Sequence, residues 1–301
     1  MNTEPAPAAG GATLDTDAPR PVLRFARRLA HPPAKVWRAI TDPAELAHWF
    51  PAQIGFPASA SRPAAASVPG RAGVPVRAGD EITFTFPGGE LAPDTGRITA
   101  YDPPSLFAFT WGADEFRLEV SPDGDGALLR MSQTLGGGRP WSGAVGAPRQ
   151  AAGWDVCLAA LARWLGGPPE DTPGWLDLDL GYLSSFGLAE GEVADGRIRF
   201  VRDLVRPAAV VWRTLTEDDR LRSNPHVTAG PVSKADDPHL LEYPAERGGV
   251  VRWELAGHEG GTELTLTHEV PPGTDVPLLL AAWRAHLEVF VRALHGDPAP
   301  G

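Results

Sequence analysis

Cysteine is scarce in this sequence: Cys157 is the only one in 301 residues. No disulfide can therefore form within the chain, and a reducing compartment is the simplest expectation. Cys157 lies in an apolar, helix-like run, GWDVCLAAL, where a buried and unreactive thiol is far more common than a nucleophile. The N-terminus lacks the basic and apolar regions of a secretory signal, and no stretch approaches the ~18 consecutive apolar residues of a membrane span. We therefore expect a cytoplasmic protein that does not enter membranes.

Clusters of basic residues are missing as well. The 27 lysines and arginines are scattered, 38 aspartates and glutamates outnumber them, and the formal net charge is −11. Neither nucleic acid nor an anionic membrane surface is therefore expected as a partner. The eight histidines show no HxH or HExxH spacing, no G-x-S-x-G elbow is present, and the glycines at 136–138 are not followed by Lys-Ser/Thr. The sequence gives no support to a metal site, a serine hydrolase or a phosphate loop, and no cofactor is expected.

A sequence repeat organises the chain. Residues 31–50 read HPPAKVWRAITDPAELAHWF, and a second copy that begins at Arg206 reads RPAAVVWRTLTEDDRLRS. Trp212 matches Trp37 at an offset of 212 − 37 = 175, and later landmarks match at 251 − 116 = 135 and 283 − 154 = 129. Three landmarks in the same order predict a tandem duplication. The fall of 175 − 135 = 40 between the first two offsets predicts a second copy that is 40 residues shorter.

Composition and the repeat together divide the chain into domains. The first 20 residues are rich in Ala, Pro, Gly and Thr and show no periodic apolar face, so they are expected to be disordered. Ala, Pro, Ser and Gly dominate residues 51–79, which predicts a low-complexity loop. The predicted organisation is a disordered N-terminus at 1–20, a first domain at 21–166 that contains this loop, a linker with room for a short helix at 167–196, and a shortened second domain at 197–296.

Hydrophobic periodicity predicts an α+β fold class. Alternating residues at 22–29 predict a first strand, and the prolines after it begin two short helices. Period-two segments separated by Gly, Pro and Asp turns then predict an antiparallel meander. Trp154, Leu158, Leu161 and Leu165 recur at spacings of four, three and four, which predicts a long amphipathic helix. The meander strands are expected at 80–86, 96–101, 106–111, 116–120 and 127–135.

This order of elements describes two tandem helix-grip domains, in which a curved antiparallel sheet wraps around a long C-terminal helix because each has one apolar side to bury. The first copy also carries the motif P-x-x-V-W-x-x-[IL]-T-[DE]-P-x-x-L-x-x-W-F. With this motif the chain resembles the START-like (SRPBCC) superfamily, and within it the family named after the C-terminal domain of the heat-shock-protein-90 ATPase activator. The motif residues are Pro33, Val36, Trp37, Ile40, Thr41, Asp42, Pro43, Leu46, Trp49 and Phe50.

The resemblance implies an apolar cavity between the sheet and the long helix that binds small hydrophobic molecules. Period two places mostly aromatic side chains on the inner face, and two polar residues interrupt them at equivalent positions. Gln133 could orient a ligand, and His268 could do so or act as a general base. Alternatively, the aromatic residues only fill a core, and the two polar residues lie at the sheet rim in water or bind backbone. The candidate ligand-binding residues are Trp49, Phe84, Phe86, Phe107, Phe109, Trp111, Met131, Gln133, Trp154, Trp253, His268 and Trp283.

The leading functional hypothesis is a binding protein whose first domain holds a small apolar or aromatic molecule, with the second domain as a packing or partner module. One alternative is an enzyme of the cyclase or dehydratase kind, which needs convergent acid–base groups. The sequence offers only Gln133, His268 and Asp155 for that role, and no catalytic constellation is identifiable. The other alternative is an adaptor that binds a protein partner, as the heat-shock-protein-90 ATPase activator does.

Overall fold

The computed structural model describes residues 11–56, 76–86, 93–137, 143–168 and 172–296. The chain divides into two compact units, Met1–Trp175 and Leu176–Gly301. In the described residues each unit contains one antiparallel sheet and one long helix that follows its last strand. The predicted α+β fold class is therefore confirmed.

The sheet of the first unit has eight strands within the described residues. In chain order they are β1 (Ala12–Asp15), β2 (Val22–Leu29), β3 (Gln53–Gly55), β4 (Glu81–Thr85), β5 (Asp94–Asp102), β6 (Leu106–Trp111), β7 (Asp114–Asp123) and β8 (Gly126–Thr134). The helices are α1 (Pro33–Thr41), α2 (Pro43–Leu46) and α3 (Ala147–Trp164), the last preceded by a 3-10 turn at Ala144–Gly146. Across the sheet the strands lie in the order β1-β2-β8-β7-β6-β5-β4-β3.

Prolines and an aspartate begin the two short helices of this unit. Pro33 lies in the first turn of α1, where a missing backbone N–H costs no hydrogen bond. Asp42 caps α2, because its Oδ1 accepts a hydrogen bond from the backbone N–H of Ala44 at 2.9 Å. The indole Nε1 of Trp49 then donates to the carbonyl oxygen of Ala39 at 2.9 Å. This bond holds the segment after α2 against α1.

Helix α3 closes the inner face of the first sheet. Its predicted stripe of Trp154, Leu158, Leu161 and Leu165 is buried, with no member more than 6% exposed. The ring of Trp154 lies 5.4 Å from that of Phe116 on β7. Burial of these large side chains, at ~1.5–3 kcal/mol each, is what binds the helix to the sheet.

The sheet of the second unit has six strands in the part of the chain that the structure describes. They are β9 (Glu192–Ala194), β10 (Arg197–Leu204), β11 (Lys234–Asp236), β12 (Leu240–Pro244), β13 (Val250–His258) and β14 (Gly261–Glu269), in the spatial order β11-β12-β13-β14-β10-β9. The helices are α4 (Trp175–Ser185), α5 (Ala208–Glu217), a 3-10 turn at Asp219–Arg222, and α6 (Val276–Leu294). The core contains Trp253, Trp283 and Phe290, each fully buried.

The N-terminal segment differs from its prediction. Strand Ala12–Asp15 pairs antiparallel with β2, and Asp15 accepts a hydrogen bond from Nη1 of Arg24 at 3.0 Å. The prediction of disorder over 1–20 is therefore wrong for this strand, while residues 1–10 lie outside the described ranges. Composition misleads here because an edge strand is held by backbone hydrogen bonds and needs few apolar side chains.

Two other predicted irregular segments also contain edge strands. Gln53–Gly55 pairs with β4 inside the expected 51–79 loop, most of which, at 57–75, lies outside the described residues. Glu192–Ala194 pairs with β10 inside the expected linker, and the helix Trp175–Ser185 lies there too. Short edge strands of this kind leave little periodicity for the sequence to show.

Candidate functional site

Aromatic side chains from several strands meet on the inner face of the first unit. Phe84 stacks on Trp111 with ring centroids 4.3 Å apart and planes 8° apart. Phe109 lies 5.2 Å from Phe116 and 4.9 Å from Phe107. Pairs of this kind contribute about 0.5–1.5 kcal/mol each beyond the area they bury. Together with the contacts given below, the rings form one group, here called the aromatic cluster: Phe50, Phe84, Phe86, Phe107, Phe109, Trp111, Phe116 and Trp154.

Phe50 lies at the centre of the aromatic cluster. Its ring is 5.5 Å from Trp154, 5.7 Å from Trp111 and 6.4 Å from both Phe84 and Phe109. It therefore connects the helix side of the interior to the sheet side. The sequence places Phe50 at the end of the motif but does not identify it as a site residue, because a residue after a short helix belongs to no clear periodic face.

Trp49, the neighbouring candidate, is anchored on α1. It is 4% exposed, and its indole is bonded to the carbonyl of Ala39 on α1. Its ring meets that of Phe50 edge-on at 5.5 Å. Trp49 thus fixes the position of Phe50, and Phe50 is the residue that reaches the cluster.

One edge of the aromatic cluster is only partly buried. Trp111 and Phe86 are both half-buried, and their rings are 5.7 Å apart. Phe84, Phe107 and Phe109 are at most 1% exposed. The cluster therefore runs from a closed interior to an accessible side near the ends of β4 and β6. Met131, on β8, is also buried, at 2% exposure.

A polar group adjoins the aromatic cluster. Gln133 on β8 is 2% exposed, and its Oε1 accepts a hydrogen bond from Nε1 of Trp154 at 2.8 Å. Its Nε2 donates to Oδ2 of Asp114 at 2.7 Å and also to Oε1 of Gln150. Asp114 is held in turn by the backbone N–H of Gly136 at 2.7 Å. We call Asp114, Gln133, Gln150 and Trp154 the Gln133 hub.

The Gln133 hub ties the last strand, the start of β7 and the long helix together. The sequence left open that Gln133 lies at the water-exposed rim of the sheet or bonds to backbone. In the structure it does neither, because it is buried and bonds to side chains. Both amide hydrogens and the carbonyl oxygen already have partners within the chain. Asp114 and Gln150 are site residues that the sequence did not single out. The signal that could have found them is their spacing, two residues before Phe116 and four before Trp154.

A buried ion pair lies beside the hub. Nη2 of Arg27 on β2 bonds to Oδ1 of Asp155 on α3, and the two side chains are 13% and 6% exposed. Nη1 of Arg27 donates to the carbonyl of Ala26 at 3.0 Å. Asp155, one of the few acid–base candidates, is thus neutralised by a fixed cation, and removing either partner would leave a costly buried charge.

The candidates of the second unit form a separate cluster. Trp253 lies 5.9 Å from Trp283 and 5.5 Å from Phe290. Nε1 of Trp253 donates to the hydroxyl of Tyr243 at 3.0 Å, and that hydroxyl donates to the carbonyl of Arg222 at 2.6 Å. Burial raises the pKa of Tyr243. The phenol therefore stays neutral and acts only as a hydrogen-bonding group.

His268 is joined to this cluster by its ring. Nε1 of Trp283 donates to Nδ1 of His268 at 3.1 Å, so Nδ1 carries no proton. Burial lowers the pKa of His268, while the backbone of Gly248 and the charge of Glu269 act the other way with smaller effect. The ring is therefore held neutral, with its proton on Nε2.

Cys157 is not suited to act as a nucleophile. Cys157 is half-buried rather than fully buried, and burial raises the pKa of its thiol to about 11. The thiolate that a nucleophile requires is thus disfavoured.

Within the described residues, no group of three or more His, Cys, Asp or Glu side chains could hold a metal ion. No described helix is both long and apolar enough to cross a membrane.

Comparison with protein families decides the classification of the first unit. Residues 30–166 match the family described as "Activator of Hsp90 ATPase homolog 1-like protein". Over these residues the first unit is similar to this family. The match ends beside the last residue of the α3 stripe and spans the two short helices, the aromatic cluster and the Gln133 hub. It places the unit in the SRPBCC superfamily, as the motif predicts.

Solved structures that match this chain include the following three. A conserved protein of unknown function from Enterococcus faecalis is 17% identical with a TM-score of 0.44, covering 58% of this chain and 90% of its own. CalU16 from Micromonospora echinospora is 19% identical with a TM-score of 0.40, covering 59% and 92%. DynU16, described as a protein in the dynemicin biosynthetic locus, is 16% identical with a TM-score of 0.37, covering 91% and 97%. At these TM-scores none of them bears on function, and no curated protein matches the chain.

Proposed function

We propose that the first unit binds a small apolar or aromatic molecule beside the aromatic cluster, between the sheet and α3. The observation that carries this proposal is the cluster itself, in which ring-to-ring contacts connect eight aromatic side chains and reach a half-buried edge at Trp111 and Phe86. Apolar pockets with few polar groups are the usual form of small-molecule sites. The similarity of residues 30–166 to a family whose members bind hydrophobic ligands supports the same function.

Trp111 and Phe86 are the residues we expect a ligand to meet first. The stacked pair of Phe84 and Trp111 offers a flat aromatic surface, and Phe50 offers a second one at 5.7 Å from Trp111. A planar apolar molecule can stack on such rings with offset geometry. The Gln133 hub is expected to keep α3 and β8 at the spacing that the ligand needs, since its amide is already engaged.

Binding without catalysis is the better supported function for this unit. An enzyme of the cyclase or dehydratase kind needs a group that exchanges protons near the substrate. Gln133 cannot titrate, and Asp155 is paired with Arg27. The second unit is proposed as a packing or partner module of the same chain.

Equilibrium binding of an apolar fluorescent probe such as Nile red to the full chain tests the proposal. Replacing Trp111 with Leu removes a stacking surface, so the Kd is expected to rise about tenfold, which corresponds to ~1.4 kcal/mol. The matched control is Trp164→Leu, since Trp164 is 44% exposed and stacks on His48 at 3.4 Å, away from the cluster. Equal affinities for the wild type and both variants would remove the cluster as the binding site.

A further inference from the structure

The second unit repeats the setting of Gln133 but fills it differently. Gln133 faces Phe116 across the β7–β8 pair, and His268 faces Val251 across the β13–β14 pair. In each unit a tryptophan of the long helix donates its indole hydrogen to this residue. Gln133 and His268 therefore hold the same position in the two architectures.

The two side chains that accept from Gln133 have no polar equivalents in the second unit. Asp114 corresponds to Gly249, at 249 − 114 = 135, and Gln150 corresponds to Leu279, at 279 − 150 = 129. A carboxylate and an amide are thus replaced by a hydrogen atom and an aliphatic side chain. His268 is therefore still a hydrogen-bond donor at the inward position, but the second unit lacks side chains equivalent to the two that accept from Gln133.

No residue with a side chain fits at position 249 without strain. Its φ is +81°, and a Cβ would lie 2.1 Å from the carbonyl oxygen of Glu269 and 3.1 Å from Nε2 of His268. Both the backbone conformation and the close approach require glycine. Position 249 therefore contributes no side chain that could accept a hydrogen bond from Nε2.

Nε2 of His268 is left as an unused donor. The side chain is 2% exposed, Nδ1 is occupied by Trp283, and Nε2 has no hydrogen-bond partner among the described residues. The backbone of Gly248 is close enough to favour the protonated ring but does not reach hydrogen-bonding geometry. A buried donor without an acceptor costs about 1–3 kcal/mol, which an incoming acceptor would recover.

We propose that the second unit holds a small molecule whose oxygen, a carboxylate or a carbonyl, accepts the hydrogen bond from Nε2 of His268. The oxygen takes the place that the carboxylate of Asp114 has in the first unit. The apolar body of the molecule packs against Trp283 and Leu279, which are fully buried and 4% exposed. This site is independent of the one proposed for the first unit.

The test uses the full chain with 15N-labelled histidine and three probes of one shape: benzoate, acetophenone and toluene. NMR follows the imidazole nitrogens, with the other seven histidines of the chain as internal references. A probe whose oxygen accepts from Nε2 shifts the nitrogen resonance of His268, and toluene does not. Whichever of benzoate and acetophenone gives the larger shift identifies the oxygen as carboxylate or carbonyl. No shift with any probe, or an equal shift with toluene, overturns the proposal.

A pair of variants at Leu279 separates an acceptor effect from a packing effect. Leu279→Gln restores the amide that Gln150 supplies in the first unit, so it is expected to engage Nε2 and to abolish the probe-induced shift. Leu279→Met keeps the volume without an acceptor and is expected to retain the shift. A full shift in the Gln variant, or its loss in the Met variant, contradicts the assignment. Should Leu279→Gln fail to fold, the contrast between toluene and the oxygen-bearing probes in the wild type still decides the matter.

Discussion

The indole of Trp154 donates its hydrogen to the side-chain carbonyl of Gln133 across 2.8 Å, joining the long helix of the first unit to its last strand. Both residues are buried, at 6% and 2% exposure. The bond orients the Gln133 amide so that its two hydrogens point at Asp114 and Gln150. One side chain thus sets the distance between α3 and the inner face that carries the aromatic cluster.

Replacing Gln133 with Leu is expected to destabilise the first unit. The change removes the acceptor of the Trp154 indole and the amide that donates to Asp114 and Gln150, and each buried hydrogen bond lost in this way costs about 1–3 kcal/mol. We expect a loss of about 3 kcal/mol in the free energy of unfolding, measured by denaturant titration. Ser132→Ala, on the other face of the same strand, is the control. A loss no larger than that of the control would show that the hub is not a stabilising network.

The ion pair of Arg27 and Asp155 gives a prediction of non-additivity. Asp155→Leu or Arg27→Met alone breaks this buried pair while one of its charges remains, and is expected to cost about 3–5 kcal/mol. The double variant Arg27→Met/Asp155→Leu removes both charges from a site where they are 13% and 6% exposed, and is expected to be close to the wild type. Additive costs in a double-mutant cycle would contradict direct pairing.

Arg202 anchors the segment before β9 to the second unit. Arg202 is 4% exposed, and its guanidinium donates to the carbonyls of Leu188, Ala189 and Val201 at 3.1, 2.7 and 2.8 Å. Burial lowers the pKa of Arg202 to about 10. Arg202→Met leaves these carbonyls unpaired, so protection of the amides of β9 and β10 from hydrogen exchange is expected to fall by about tenfold or more. Arg199→Met, an exposed residue of the same strand, should leave protection unchanged.

Acid is expected to destabilise the second unit through two buried histidines. Burial lowers the pKa of His268 and of His286, and the nearby backbone of Gly248 and the carbonyl of Leu221 oppose this lowering only partly. Because the unfolded chain has the ordinary pKa of ~6.5, it binds protons first as the pH falls. The stabilisation is complete above pH ~6.5, the pKa of the unfolded chain. It is lost as the pH falls from there through the lower pKa of the folded state, at up to about 1.4 kcal/mol per pH unit for each histidine.

Hydrogen-exchange protection of α6 between about pH 8 and pH 5 measures this effect, with α3 of the first unit as an internal comparison. His286→Gln keeps a donor for the carbonyl of Leu221, which His286 meets at 2.8 Å, but cannot titrate. It is expected to make the loss of protection in α6 clearly shallower. The same pH dependence in this variant would show that His286 does not contribute.

The sequence predicts the periodic parts of this protein well. Alternation along β6 to β8 places Phe107, Phe109, Leu118 and Met131 inside, and all four are at most 2% exposed. The four-three-four spacing likewise gives the buried stripe of α3. These elements are predictable because burial of one face is the dominant energy and leaves a period in the sequence. The edge strand Ala12–Asp15 has no such pattern, since backbone pairing alone holds it.

The candidate site is less predictable, because its contacts join residues that are far apart in the chain. The partners of Gln133 lie 19 and 17 residues away, and no local rule selects Asp114 or Gln150 among the other polar side chains. Phe50 follows a short helix and enters the cluster only because the indole of Trp49 is anchored on α1. The contrast between Gln133 and His268 becomes informative only when strand register shows that they are equivalent.

Ligand binding in the first unit can be tested at a single atom, the methyl carbon of Met131. The chain has two methionines, Met1 and Met131, and Met131 is 2% exposed on the inner face of β8, opposite Leu118. NMR of the full chain with 13C-methyl methionine during titration with naphthalene follows the two signals separately. Binding beside the aromatic cluster predicts a saturable shift of the Met131 methyl signal, while that of Met1 stays in place. A Met131 signal that remains unchanged up to the solubility limit of naphthalene would contradict the proposed function.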